Sequence, residues 1–500
     1  MRQKNSIKNI ISTIIPYFVL TLLGFFRVRA YLDTLGQDIY SLNQLFFQIF
    51  SYISIVEAGA GALVTQLYYQ ALVDKDKDKI NIIYTSSKYT LRKIAVIILA
   101  IGTGVSFFLN FLTNNGLSLQ YMQIAFILYL VRSVLEYLML SPRFILQADQ
   151  KIYKINTMLN IYKLAEIIIE IILLEIGVDY LMILAGTIVI RTVSYYFTNR
   201  RIFKEYSWLK SVPKEDCIKI KGMQNVFSHK IAGAVYSNTD ILLISSFLTT
   251  TAVTVYSSYN FIIKFMDDLC YMCASSIAPS MGNVMVKEKL SQKRNIFEEI
   301  NILFLSLAMC ISITLYSVIS PFIKIWLGEN YILDNFSLAL MLFSLFHFIA
   351  KRPTHMVNEV CNLFKDTQKI VIIEAGLNLV FSLILIYRMG ISGVILATVL
   401  STLLTNFWAF PYVIYNKTLE QKPFKYYYRY LFSVFISIIF CFLSDKFVKI
   451  NSENYLYWFL NSAAYFLIVC IIVFSINFIT SKDFRSIVSK GLNLMKNYNN

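Results

Sequence analysis

Read along its length, the chain is a succession of apolar runs of about the size needed to cross roughly 30 Å of hydrocarbon as a helix, separated by short polar connections. They fall at 10–27, 39–68, 94–113, 120–140, 155–174, 180–198, 226–248, 253–281, 300–321, 336–356, 370–388, 391–415, 430–449 and 455–479. That pattern predicts fourteen transmembrane helices. Runs of alternating polar and apolar residues are missing, and Gly and Pro number only 17 and 8, which argues against a transmembrane barrel of strands. The two weakest spans are the fifth, which carries Lys163, Glu166 and Glu170, and the tenth, which carries His347 and ends at Lys351, Arg352 and Pro353.

Composition agrees with the pattern. The 500 residues are 57% hydrophobic and only 15% charged, with a mean hydropathy of +0.58, whereas soluble domains carry about 25% charged residues. So much of the length is apolar that little is left for an extramembrane domain. The net charge of +16 would suit nucleic acid, but Lys and Arg gather in alternate connections, as positive-inside topology demands. The reading is an even helix count, both termini in the cytoplasm and no nucleic-acid partner. Met1 to Lys8 followed by the apolar run from Ile10 to Phe26 has the charge order of a signal peptide, yet no small-residue cleavage site precedes Arg27, so it reads as a retained first helix.

The longest inner connection, 199–225, holds Arg200, Arg201, Lys204, Lys210, Lys214, Lys219 and Lys221. It divides the chain into an N-terminal lobe at 1–198, a cytoplasmic linker at 199–225, a C-terminal lobe at 226–415, and a final helix pair with a cytoplasmic tail at 416–500. A faint internal repeat accompanies the division. Tyr40 and Ser41 precede the small-residue run Ala58 to Ala62, as Tyr256 and Ser257 precede Ala274 to Ala278. The fold class is therefore all-α and integral to the membrane, with two pseudo-symmetric six-helix lobes and a C-terminal helix pair.

Three stretches together resemble the polysaccharide repeat-unit flippases, the O-antigen, capsule and exopolysaccharide exporters within the multidrug/oligosaccharidyl-lipid/polysaccharide exporter superfamily. They are Arg27, Arg29, then Leu35 to Ser41 leading to Glu57 to Gly61; Asn238 to Ile244, followed by Val255, Tyr256 and Ile277 to Pro279; and Gly390 to Thr398. The resemblance implies a central cavity between the lobes. It implies a bacterial plasma-membrane transporter that flips an undecaprenyl-diphosphate-linked oligosaccharide by alternating access, with a polysaccharide polymerase and chain-length machinery as partners. Thr251 and Ala252 stand where a counterpart of Gly36 would fall in the second half. One rival is a cation-coupled multidrug exporter of the same superfamily; another is a membrane glycan polymerase or ligase, which the short outer loops disfavour.

Ionisable groups at membrane depth cost about 2.5 kcal/mol or more unless they meet water or a partner, so each marks a candidate site. Substrate-binding candidates are Arg27, Arg29, Arg132, Arg191, Asp240 and Lys264, an excess of cations suited to a diphosphate. Arg27 and Arg29 are alternatively interfacial anchors that snorkel to the headgroups. Arg132 and Glu136, four apart, predict a pair along one helix face, and Lys163, Glu166 and Glu170 predict an internal network of the same kind. Glu57, Glu166 and Glu170 are the ion-coupling candidates. Cys270 and Cys273 sit in an apolar helix without a second pair, His229, His347 and His355 have no metal-site spacing, and no Gly-rich phosphate loop occurs, so no cofactor is expected and the chain is not read as an enzyme.

Overall fold

The computed structural model describes residues 2–57, 60–218, 239–448, 450 and 453–498. All regular structure among them is helical. Among the described residues eleven helices are long and apolar enough to cross a membrane, and they coincide with eleven of the runs read from the sequence. Of the other three, the second is interrupted. Helix α2 (Gly36–Ile53) gives way to a tight 3-10 turn at Ser54–Glu57 before α3 (Ala60–Val73), where the glycine-rich sequence loses helix propensity. The fifth is a continuous helix, Tyr153–Glu175, whose Lys and Glu residues dilute its hydropathy. The seventh begins outside the described residues, and 239–247 is helical.

The chain forms two compact units, Met1–Thr254 and Val255–Asn500. In the first, the other long helices are α1 (Arg2–Thr34), α4 (Lys77–Ser106), α5 (Leu119–Leu140), α6 (Tyr153–Glu175) and α7 (Tyr180–Glu205). Helix α1 lies along α6, α4 along α5, and α7 against both α5 and α6. Aromatic rings fill the space between α2 and α5: Phe46 meets Phe126 edge-on at 5.1 Å and Phe50 stacks on Tyr129 at 4.9 Å. Residues 239–254, placed with the second lobe on sequence grounds, group with this first unit: the Asn114 amide N–H donates to Ser245 O at 3.2 Å, and Thr251 Oγ1 donates to Gln37 Oε1 at 2.9 Å.

The connection after α7 is strapped to the polar face of α4. Backbone N–H groups of Lys210, Val212 and Ile218 donate to the side chains of Asn81, Thr85 and Ser86, each at 3.0 Å. Those three α4 side chains are buried, so the strap supplies the partners that burial requires.

The second unit comprises α8 (Thr250–Lys287, which starts at the boundary), α9 (Leu290–Trp326), α10 (Asn335–Ala350), α11 (Arg352–Val360), α12 (Phe364–Met389), α13 (Ile391–Leu404), α14 (Asn406–Ile414), α15 (Phe424–Phe447), α16 (Tyr455–Thr480) and α17 (Lys482–Tyr498). Helix α9 is central and packs on α10, α15 and α16. Helix α8 is unbroken through Ala274 to Ala278, whereas its proposed repeat partner breaks at Ser54–Glu57. The Gly390 to Gly393 motif has a packing cause: Gly390 stops α12 at φ +56°, and a Cβ on Gly393 would lie 2.4 Å from Leu385 O, so α12 and α13 close only with glycine there.

Candidate functional site

Within the first unit, helical spacing turns four side chains toward one another. Arg27 and Tyr31 are one turn apart on α1, and Glu166 and Glu170 one turn apart on α6. As α1 lies along α6, Tyr31 donates its hydroxyl to Glu170 Oε1 at 2.5 Å, and Arg27 Nη1 stands 3.7 Å from Glu170 Oε2. Glu166, on the same face of α6, meets the arginines of α5 and α7. Arg191 Nε on α7 donates to both its oxygens at 2.9 and 3.1 Å, and Arg132 Nη1 on α5 is 3.9 Å away. Arg191 Nη1 also reaches Glu136 Oε2 at 4.0 Å, and the Arg132 guanidinium lies 4.4 Å from the Tyr129 ring centroid.

Three arginines thus meet three carboxylates across four helices. The expected pairings along single helices are replaced by pairings between helices: Arg132 turns to Glu166, Glu136 to Arg191, and Glu170 to Arg27, while Lys163 is exposed. A long lysine stem carries its ammonium outward at little cost, whereas a buried carboxylate requires a fixed donor. The group is also charge-balanced, so the surplus of positive charge anticipated from the sequence is absent from this part of the site.

Arg132, Glu136 and Arg191 line a cavity of about 350 Å³, together with Phe47, Phe50 and Ser51 of α2, Ser54 of the turn, Ile98 of α4, and Tyr129, Ser133 and Tyr137 of α5. Both cations present N–H groups and both aromatic faces and hydroxyls are within the same walls. Such a space has room for a compact polar group.

The other sequence candidates separate from this group. Arg29, two residues from Arg27 and therefore about 200° around the helix, is exposed and pairs with Asp33 at 3.2 Å. Asp240 is half-buried beside Thr239, whose Oγ1 lies 2.5 Å from the Tyr52 hydroxyl at the α2 end. Lys264, in the second unit, is exposed and has no ion pair among the described residues; Asp267 is taken by Arg352 at 2.5 Å. The Glu57 side chain lies outside the described residues. Sequence reasoning missed Tyr31 and Tyr129, although both lie one turn or less from a flagged arginine.

No protein-family model and no curated protein matches the chain. Solved structures do. A lipid II flippase MurJ in an inward closed conformation superposes with a TM-score of 0.70 over 93% of this chain and 98% of that one, at 14% identity. The chain shares the fold of that flippase and of transporters of the MOP superfamily. An inward-facing multidrug resistance MATE family transporter of that superfamily follows at TM-score 0.60, 12% identity, covering 88% of this chain and 99% of the other. A MOP superfamily transporter from Pyrococcus furiosus, described by the reversed polarity of its binding pocket, matches at 0.57 and 12% identity over 88% and 96%. The shared fold and the eleven membrane-capable helices among the described residues establish the all-helical membrane architecture expected from the sequence, and the chain is a multi-pass membrane protein.

Proposed function

We propose that the chain is a transporter that flips a lipid-linked, diphosphate-bearing oligosaccharide across a bacterial plasma membrane for surface polysaccharide assembly. The observation that carries the reading is the pair of arginines, Arg132 and Arg191, lining a cavity of about 350 Å³ from two helices long and apolar enough to cross a membrane. A diphosphate cannot enter hydrocarbon without fixed donors, and guanidinium offers a planar two-pronged match. The MurJ likeness supports a lipid-linked cargo, and undecaprenyl diphosphate with its glycan is the cargo we assign. In this reading Arg27, Arg132 and Arg191 contact or tune the headgroup, Arg29, Asp240 and Lys264 are further candidates along its route, and Glu57, Glu166 and Glu170 couple an ion. Fourteen spans, cytoplasmic termini and the lobe boundaries at 198 and 226 belong to the same reading, as do a polymerase and chain-length machinery as partners.

One observation favours a second reading. Glu136 and the Tyr129, Tyr137 and Phe50 rings share the cavity wall, a combination that holds organic cations, as a cation-coupled drug exporter requires. Surface glycan in a strain deleted for the gene separates them. Loss of glycan on deletion, restored by the parent chain and not by R132Q or R191Q, supports the flippase. Unchanged glycan with increased sensitivity to cationic dyes supports the exporter. Cys217, in the 199–225 connection, should react with an impermeant thiol reagent only after the membrane is opened; labelling of intact cells overturns the orientation.

A further inference from the structure

The last helix, α17, carries three stripes that its sequence sets at helical spacing. Asp483, Ser486 and Lys490 form the first, which docks the helix. Asp483 meets Lys425 Nζ at 2.8 Å and the Arg429 guanidinium, both of α15, while Ser486 Oγ and Lys490 Nζ donate to Glu299 Oε1 of α9 at 2.7 and 2.6 Å. Phe484, Ile487 and Val488 form the second stripe, which is apolar, and Lys482, Arg485 and Ser489 form the third, which is exposed. Only Ser481 separates α17 from the membrane-capable α16. Its Oγ accepts the Phe484 N–H at 3.3 Å, the cap that starts the new helix.

The apolar stripe does not close fully against its neighbours. It leaves a cleft of about 550 Å³, walled by Leu303 of α9, by Phe474, Phe478 and Ile479 of α16, and by Phe484 and Val488 of α17. A cleft of that size is in the range that encloses a small ligand. Arg485 stands at its rim: Nη1 donates to the carbonyls of Phe478 and Ile479, two wall residues, at 3.3 and 3.2 Å. Neither Arg485 nor Lys482 has an ion pair among the described residues, and the acids of this end, Asp483 and Glu299, are held by Lys425, Arg429 and Lys490. Around the helix the order is docking stripe, apolar stripe, basic stripe. Cations along one edge of an apolar strip, at the end of a membrane helix, are the arrangement of a helix lying in the headgroup region.

We infer that this cleft binds one anionic phospholipid of the surrounding bilayer, with an acyl chain between α9, α16 and α17 and the phosphate at Arg485 and Lys482. The apolar walls alone would take the chain of any lipid; the two rim cations supply the choice of headgroup. The Arg485 guanidinium is already anchored to the α16 carbonyls, so it meets the phosphate with little further loss of side-chain freedom. A chain in the cleft ties α17 to α16, so the seating of α17 depends on the lipid composition of the membrane. The site rests on the membrane architecture and not on the cargo assigned above.

The test uses the full-length protein in nanodiscs of phosphatidylcholine and phosphatidylglycerol in equal amount, released into detergent and weighed intact by native mass spectrometry. The parent should retain one phosphatidylglycerol in preference to phosphatidylcholine, by about fivefold for each contributing cation. K482Q and R485Q should each lower the preference by about that factor, and R485K, which keeps the charge, should keep most of it. Lys482 makes no hydrogen bond or ion pair among the described residues, so K482Q reads the charge alone even where R485Q disturbs the junction with α16. S475F, at a residue that lines the cleft, fills it while leaving both cations and should abolish retention of either lipid. Equal retention of the two lipids by the parent overturns the proposal, as does a preference that survives K482Q and R485Q together, or retention that S475F leaves unchanged. Displacement of phosphatidylglycerol by undecaprenyl phosphate at equal mole fraction also overturns it and makes the cleft part of a cargo route. Surface glycan in the deletion strain remains the separate judge of the transporter reading.

Discussion

Arg191 holds both oxygens of Glu166 through a single nitrogen, at 2.9 and 3.1 Å, and Glu166 is 8% exposed. Removing one member of a buried pair strands the other, at a cost of about 3–5 kcal/mol. E166Q and R191Q are therefore each expected to lower thermal stability in detergent by amounts of that order, and the double variant to lose less than the sum. Additive losses would show that the two residues do not depend on each other. R191K keeps the charge but not the fork and should fall between parent and R191Q.

The two arginines of α1 have different fates. Arg27 faces Glu170 and Tyr31, whereas Arg29 pairs with exposed Asp33. In a deletion strain, R27Q should fail to restore surface glycan at normal protein level, and R29Q, which leaves the Glu170 cluster intact, should restore more of it. Equal loss in both would mean that the C-terminal end of α1 acts as a unit and that helical phase does not decide.

Close approach at Gly393 sets a further expectation. A Cβ there meets Leu385 backbone at 2.4 Å, while one on Gly102 meets only the movable Leu130 side chain at 2.6 Å. Overpacking costs typically about 1–3 kcal/mol, and G393A should sit at or above that range with G102A below it. Melting temperatures of the purified variants order the two, and the reverse order refutes the packing argument.

The docking of α17 should be acid-sensitive. Burial alone would raise the Asp483 carboxyl, but hydrogen bonds and charges from Lys425 and Arg429 hold it below the usual carboxylate range. A depressed value means that the contribution is complete above the unfolded value of about 3.9 and is lost as pH falls through the folded one. Hydrogen exchange of residues 482–498 should stay slow at neutral pH and quicken only in strong acid, and D483N should remove that acid step. An unchanged acid step in D483N would show that Asp483 is not the group behind it and that α17 is held instead by contacts such as Lys490 to Glu299 at 2.6 Å.

Much of the architecture was legible because apolar length is nearly all that a membrane helix requires; eleven runs needed no refinement in kind. The site was legible as a set of residues and illegible as a set of pairs. Glu136 lies four residues from Arg132, so spacing favours their union, yet which of two partners an arginine takes depends on how α5, α6 and α7 are rotated about their axes. That rotation is set by contacts such as Phe50 on Tyr129, which no local pattern records. The same holds for Glu374 and Asn406, thirty-two positions apart in sequence and joined only when α12 and α14 meet.

The strap from Lys210 to Ile218 is held through its own backbone N–H groups, while α4 contributes the side chains Asn81, Thr85 and Ser86. Evolutionary freedom is therefore divided unevenly across that seam. The strap can change its residues, proline at those three donor positions excepted, and remain attached; α4 cannot change its three without stranding the seam. Among relatives, drift should accumulate on one side of the contact and stasis on the other, so that a surface stretch rich in variable lysines would mark, on the helix beneath it, a row of polar residues that do not vary.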